Sequence, residues 1–130
     1  MFISAGSRPA LGAAARNRRA LNVLGQTPTF ACRAWVTFNG TTGAIIGSAN
    51  VTSVTRTGTG AYTVNFTVPM PDLKYSAVGS FQSNGVTANA MGLDLIGAPS
   101  STSSFSFRLG QTTGTFTATD SPFITIAFFR

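Results

Sequence analysis

The residues of this chain predict an all-β fold, a small antiparallel β-sandwich of jelly-roll-like type behind a short N-terminal arm. Three observations lead there. Ser and Thr make up about a quarter of the 130 residues, and both suit strands and turns better than long helices, because their hydroxyls compete for nearby backbone groups and Thr is β-branched. From residue 32 onward, short runs of alternating apolar and polar residues recur between Gly, Pro, Asn and Asp turn signals. The length suits one domain, and a sandwich needs about 100 residues. The predicted organisation is a basic arm at residues 1–31, helical or extended, and a β-sandwich at residues 32–130.

In the arm, Pro9 can open a helix, residues 10–24 are rich in Ala, Leu and Arg, and Gly25 is a natural stop. Its apolar face is narrow, and a helix of this length is marginal alone in water. It is therefore expected to order by docking, with Arg8, Arg16, Arg18, Arg19, Leu21 and Leu24 as the candidate attachment residues.

The first strand is expected around residues 32–38. Alternation puts Cys32, Ala34, Val36 and Phe38 on one face and Trp35 on the other. Cys32 is thus read as a small buried apolar residue. Asn39-Gly40 marks a turn, and residues 44–48 a short strand or bulged continuation. The clearest signal is a hairpin over residues 51–68. A β-branched strand at 51–57 leads through Gly58, Thr59 and Gly60 into Tyr62, Val64, Phe66 and Val68, one apolar face at period two. Pro69-Met70-Pro71-Asp72 breaks the ladder. Residues 74–81 form the next strand, with Tyr75, Ala77, Gly79 and Phe81 on one face, and a weaker strand covers 86–95. Phe105, Phe107 and Leu109 mark the strand at 104–109. The last strand, 123–130, is apolar on both faces and so belongs in the middle of a sheet.

The chain is apolar in 43% of its residues but charged in only 9%, against about 25% charged in ordinary soluble domains. Surface Lys and Glu normally keep monomers soluble and guard strand edges. Their scarcity points to a subunit whose surface is covered in an assembly. The net charge of +6 is concentrated at the start, since four arginines precede residue 20 and the first acid is Asp72. Such an arm suits an acidic protein socket, an acidic membrane surface or nucleic acid. The β region has no cationic stripe, so nucleic acid is not expected. Arg-rich, acid-free composition also loosely resembles an organellar transit peptide. No apolar run is long enough for a membrane-spanning helix.

Catalytic chemistry finds little to work with. His and Glu are absent, the acids are Asp72, Asp94 and Asp120, and Cys32 is the single cysteine. No Ser-His-Asp or Cys-His constellation can form, and a zinc site lacks its ligands. Neither catalytic nor metal residues are expected, and no cofactor. Asp72 and Asp120 are read as turn formers. Gly58–Gly60 lacks the Lys and the following helix of a phosphate loop. The triplets Asn39-Gly40-Thr41, Asn50-Val51-Thr52 and Asn65-Phe66-Thr67 fit the glycosylation pattern, a coincidence expected of a Thr-rich chain. Tyr62 and Tyr75 are expected in the core rather than as base-stacking platforms. The candidate surface-contact loops are Gln82, Ser83 and Asn84, with Gln111 and Thr112, whose polar side chains suit a carbohydrate surface such as a cell-surface glycan.

Two stretches together carry a resemblance. One is Arg33-Ala34-Trp35-Val36 followed by Phe38-Asn39-Gly40-Thr41. The other runs from Val51 through Gly58-Thr59-Gly60-Ala61-Tyr62-Thr63-Val64-Asn65-Phe66 to Met70-Pro71-Asp72 and Tyr75. They resemble a module of tailed-bacteriophage virion proteins, especially tail-fibre proteins of phages of aquatic bacteria and cyanobacteria, and residues 124–130 are similar to its closing strand. The resemblance covers roughly residues 31–130 and leaves the arm unmatched. It implies a homo-oligomeric β-sandwich, usually a trimer, in a virion assembled in the host cytoplasm beside other baseplate, tail or capsid proteins. It carries over no catalytic residue. Fibres usually have long shafts, and this chain is short. The expected function is therefore a non-enzymatic short tail-fibre or baseplate-associated subunit, with a capsid decoration protein as the alternative.

Overall fold

The computed structural model describes residues 30–83, 91–95, 98–112 and 114–130. Arg8, Arg16, Arg18, Arg19, Leu21, Leu24 and Asn84 lie outside the described residues. Among the described residues the structure is all β. Its strands are β1 (Cys32–Phe38), β2 (Ile45–Ala49), β3 (Val51–Gly58), β4 (Ala61–Phe66), β5 (Ser76–Phe81), β6 (Met91–Leu95), β7 (Ser104–Gln111), β8 (Thr117–Ala118) and β9 (Ile124–Phe129). They form two antiparallel sheets. The first has the order β2-β1-β9-β5; the second has the order β3-β4-β7-β6, with β8 paired to β7. The chain passes between sheets after β2, β4, β5 and β8. The last strand, β9, returns to lie between β1 and β5, the central place its two apolar faces suggest.

The sheets pack through the alternation read in the sequence. Ala34, Val36 and Phe38 of β1 and Ile124, Ile126 and Phe128 of β9 face Tyr62, Val64 and Phe66 of β4 and Phe105, Phe107 and Leu109 of β7, all buried. Aromatic rings bridge the layers. The Phe128 ring lies 4.9 Å from that of Phe66 and 5.2 Å from that of Phe105. Phe38 meets Tyr62 edge to face at 5.3 Å. Such edge-to-face pairs add roughly 0.5–1.5 kcal/mol each beyond the area they bury. Tyr62 and Tyr75 are core residues as expected, and the buried Tyr75 hydroxyl donates to the Ser101 carbonyl at 2.8 Å.

Two expectations fail at strand ends. Cys32 is exposed rather than buried. The β1–β9 register slips between Cys32 and Ala34, so Cys32 pairs with Phe129 while Ala34 pairs with Phe128. One extra residue, Arg33, therefore turns Cys32 to the outside. Val68 is also exposed, because β4 stops at Phe66. The Val68 N–H donates not to a strand but to Asn50 Oδ1, at 2.7 Å.

Asn50 is the corner between the sheets. It sits in the left-handed region, φ 56°, which Asn tolerates better than most residues. Its Nδ2 donates to the carbonyls of Arg33 and Val68, both at 3.1 Å. β2 and β3 thus run as one strand that bends at Asn50 out of the first sheet and into the second. At the β3–β4 turn, Gly60 has φ +61°, and a Cβ there would collide with the Leu109 carbonyl oxygen. Only glycine fits both the backbone conformation and the space.

Candidate functional site

The two ends of the sandwich carry different chemistry. At one end the chain enters β1, and the Ala31 carbonyl accepts from the Arg130 N–H. Arg33 Nε donates to the Arg130 carbonyl at 3.0 Å, and the Arg130 guanidinium grips Asp72 through Nε and Nη2, at 2.9 and 2.7 Å. Asp72 also accepts from the Lys74 N–H, so it does shape its turn as expected, while tying that turn to the last strand.

At the opposite end, loops of both sheets converge on residues 119–123. The Gly40 N–H donates to the Ser121 carbonyl, the Gln82 N–H to the Phe123 carbonyl, and the Thr119 N–H to the Leu109 carbonyl. The buried Ser121 hydroxyl donates to the Gln82 carbonyl at 2.7 Å. Asp120 is the centre of this end. Its Oδ1 accepts from the Gly60 N–H at 2.8 Å and the Tyr62 hydroxyl at 2.7 Å, and its Oδ2 from Arg56 at 2.7 Å. Its role exceeds the turn-forming one expected: it pins the β3–β4 hairpin to the segment leading into β9.

The candidate contact residues are placed at this end. Gln82 and Ser83 follow β5 of the first sheet and are exposed; Gln111 closes β7 of the second sheet, and Thr112 after it is exposed. They share an end of the sandwich but sit in different sheets, and the 117–123 segment runs between them. The Asn residues of the three glycosylation-like triplets all have structural partners. Asn39 Oδ1 accepts from the Thr41 N–H, Asn50 holds the corner, and Asn65 Nδ2 donates to the hydroxyls of Ser53 and Thr55.

Each of the three aspartates is paired. Asp72 binds Arg130, Asp94 binds Arg108 and Asp120 binds Arg56. Arg130, followed by the Lys74 N–H, holds the Asp72 carboxyl down to about 2, from its ordinary 3.8. Burial alone would raise Asp120, but the hydrogen bonds from Arg56, Gly60 and Tyr62 outweigh it and hold this carboxyl low as well. Burial, then the bond to Asp120, pushes the Tyr62 hydroxyl up. A carboxyl depressed by folding stabilises the fold above its unfolded pKa, and that contribution is lost as pH falls through the folded value. The urea midpoint is therefore expected to be flat from pH 8 to about 5 and to fall between about pH 4 and pH 2. In Asp72→Asn that acid limb should be shallower. An unchanged limb would show that this pair has no linkage to folding.

Among the described residues no three metal-ligating side chains come together, and no helix is long and apolar enough to cross a membrane. A shallow hollow lined by Ala98, Pro99, Ser100, Ser104, Phe105 and Ser106 holds about 30 Å³, far below the ~300–1,000 Å³ of small-molecule sites. Of the site residues, sequence reasoning missed the Asp120 centre. The only signal for it is an aspartate before the closing strand, which says nothing of partners 60 residues away. No family model matches the chain, and neither a curated protein nor a solved structure matches it.

Proposed function

We propose that this chain is a non-enzymatic structural subunit of a bacteriophage virion: a short tail-fibre or baseplate-associated protein that self-associates, attaches through residues 1–31 and contacts the host surface through its loops. The observation that carries the reading is the polarity of the sandwich. The chain enters β1 at the end held by Arg130 and Asp72, while Gln82, Ser83, Gln111 and Thr112 lie at the other. These uncharged loops thus share the end of the β domain opposite to the one at which residue 31 enters it. The resemblance of residues 31–130 to tail-fibre modules supports the same reading. Contact of this kind works by number: many weak contacts on linked copies gain avidity without one tight site.

Immunogold electron microscopy of purified particles tests it. Label confined to the tail end is the expected result. Label spread over the head would instead identify a capsid decoration protein, and particles free of label would overturn the virion reading altogether.

A further inference from the structure

The two outer faces of the sandwich differ in a way that the proposed function does not by itself require. In the first sheet, the residues that alternate with the buried ones of β1 and β9, together with their ladder partners on β2 and β5, form two rows across all four strands. One is Ala49, Trp35, Ala127 and Val78; the other is Gly47, Thr37, Thr125 and Ser80. The first row is apolar throughout and spans roughly 15 Å at strand spacing. In the second, the Thr37 and Thr125 hydroxyls bond to each other at 3.1 Å. The bulge at Arg33 adds Cys32, paired with Phe129, to the same face. Neither row contains a charge. Trp35 is 40% exposed and Val78 63%. A Cβ at Gly47 would come within 3.3 Å of the Trp35 ring, so the indole lies across β2 where glycine leaves room for it.

The outer face of the second sheet is polar and largely satisfies itself. Arg108 pairs with Asp94 and lies 5.1 Å from the centre of the Phe116 ring. Thr63 bonds to Ser106, and Asn65 to Ser53 and Thr55. Water suits that face.

We infer that the outer face of the first sheet is the surface through which copies of this chain pack on one another, an inference that rests on the self-association in the proposed function. Charge selects the occupant. The chain carries +6, so two copies repel wherever their cations are apposed, and this face lets them meet without doing so. The cations of residues 32–130 are Arg33, Arg56, Lys74, Arg108 and Arg130, and none stands in either row. The nearest, Arg33, is bonded to the Arg130 carbonyl at the sandwich end. An acidic protein or a nucleic acid would find no cation in these rows. The edge strand β5 points the same way. Its pairing with β9 runs without a bulge, and it contains no Lys, Arg or Pro, the devices that normally keep an edge from pairing with another chain. A half-exposed Trp ringed by small residues is the kind of anchor that dominates binding energy at such interfaces.

Sedimentation velocity on the full chain tests this, with Val78→Lys and Ala127→Lys on the face and Thr55→Lys on the opposite sheet as control. The wild type and Thr55→Lys should sediment as oligomers. The two face variants should be monomers at concentrations at least tenfold above the wild-type dissociation range, with thermal midpoints close to wild type. Trp35, the single tryptophan, should shift its emission to the blue as wild-type concentration rises. If the wild type is oligomeric and a folded Val78→Lys remains so, another surface joins the copies; this inference then fails while the virion reading stands. If the wild type is monomeric throughout, both this inference and the self-association fail, and immunogold labelling still decides the place on the particle.

Discussion

Phe128→Ala is expected to destabilise the domain by about 4 kcal/mol, as large-to-small changes at buried aromatics do. Phe128 is fully buried in β9, and its ring meets those of Phe66, Phe105 and Tyr75. β9 is an inner strand of its four-stranded sheet, paired on both sides, so the cavity opens where neither flank can collapse without disturbing a neighbouring ladder. For a domain of this size, 1 kcal/mol moves the melting temperature by roughly 4–8 °C. A fall of about 15–30 °C should therefore appear in a circular dichroism melt. Phe129→Ala is the control. It removes the same side chain one residue on, from the outward side of the strand, and should cost about 1 kcal/mol or less. Equal losses at the two positions would contradict the alternation on which the sandwich is built.

Asp120→Ala is expected to cost about 3 kcal/mol. The substitution strands the Tyr62 hydroxyl, on a residue with no exposed surface, and the Gly60 N–H at once. Each buried group left unpaired costs roughly 1–3 kcal/mol. Asp120→Asn keeps the Oδ1 acceptor for Gly60 and Tyr62 and should lose about half as much, since the Oδ2 that accepts from Arg56 becomes an amide NH2 and that charged bond goes. Tyr62→Phe distinguishes the pair from its surroundings. In the Asp120→Ala background it should cost far less than alone, because the hydroxyl it removes already lacks a partner. Urea titrations of the four chains give the coupling, and strictly additive losses would mean that the bond between Tyr62 and Asp120 holds nothing together.

The fold was legible wherever side-chain alternation decides it. Tyr62, Val64 and Phe66, and Phe105, Phe107 and Leu109, are inward as their spacing requires, and β9 is central as its two apolar faces require. What escaped are decisions of the backbone. A single inserted residue at Arg33 reverses Cys32, and an Asn50 side chain takes the N–H that would have carried β4 on to Val68. No periodicity encodes either. Ion pairing was equally hidden: Arg56 reaches Asp120 and Arg130 reaches Asp72 across 64 and 58 residues, separations that topology creates and spacing does not reveal. The loops at Gln82 and Gln111 could be named from their polarity, but only the strand order puts them at one end. The corner at Asn50 was within reach, since Asn is among the few residues that accept positive φ.

The position of β9 also sets a timetable for synthesis. Thr37 and Thr125 are bonded neighbours, yet 88 residues separate them. At ribosomal rates of about 5–20 residues per second, β1 waits roughly 4–18 s for the strand it must lie against. The β3–β4 hairpin is local and can close meanwhile, but the first sheet has no middle until residue 124 is made. Nor does its outer surface exist before then, because the row through Trp35 and Val78 is joined by Ala127. A nascent or truncated chain therefore cannot present the complete face.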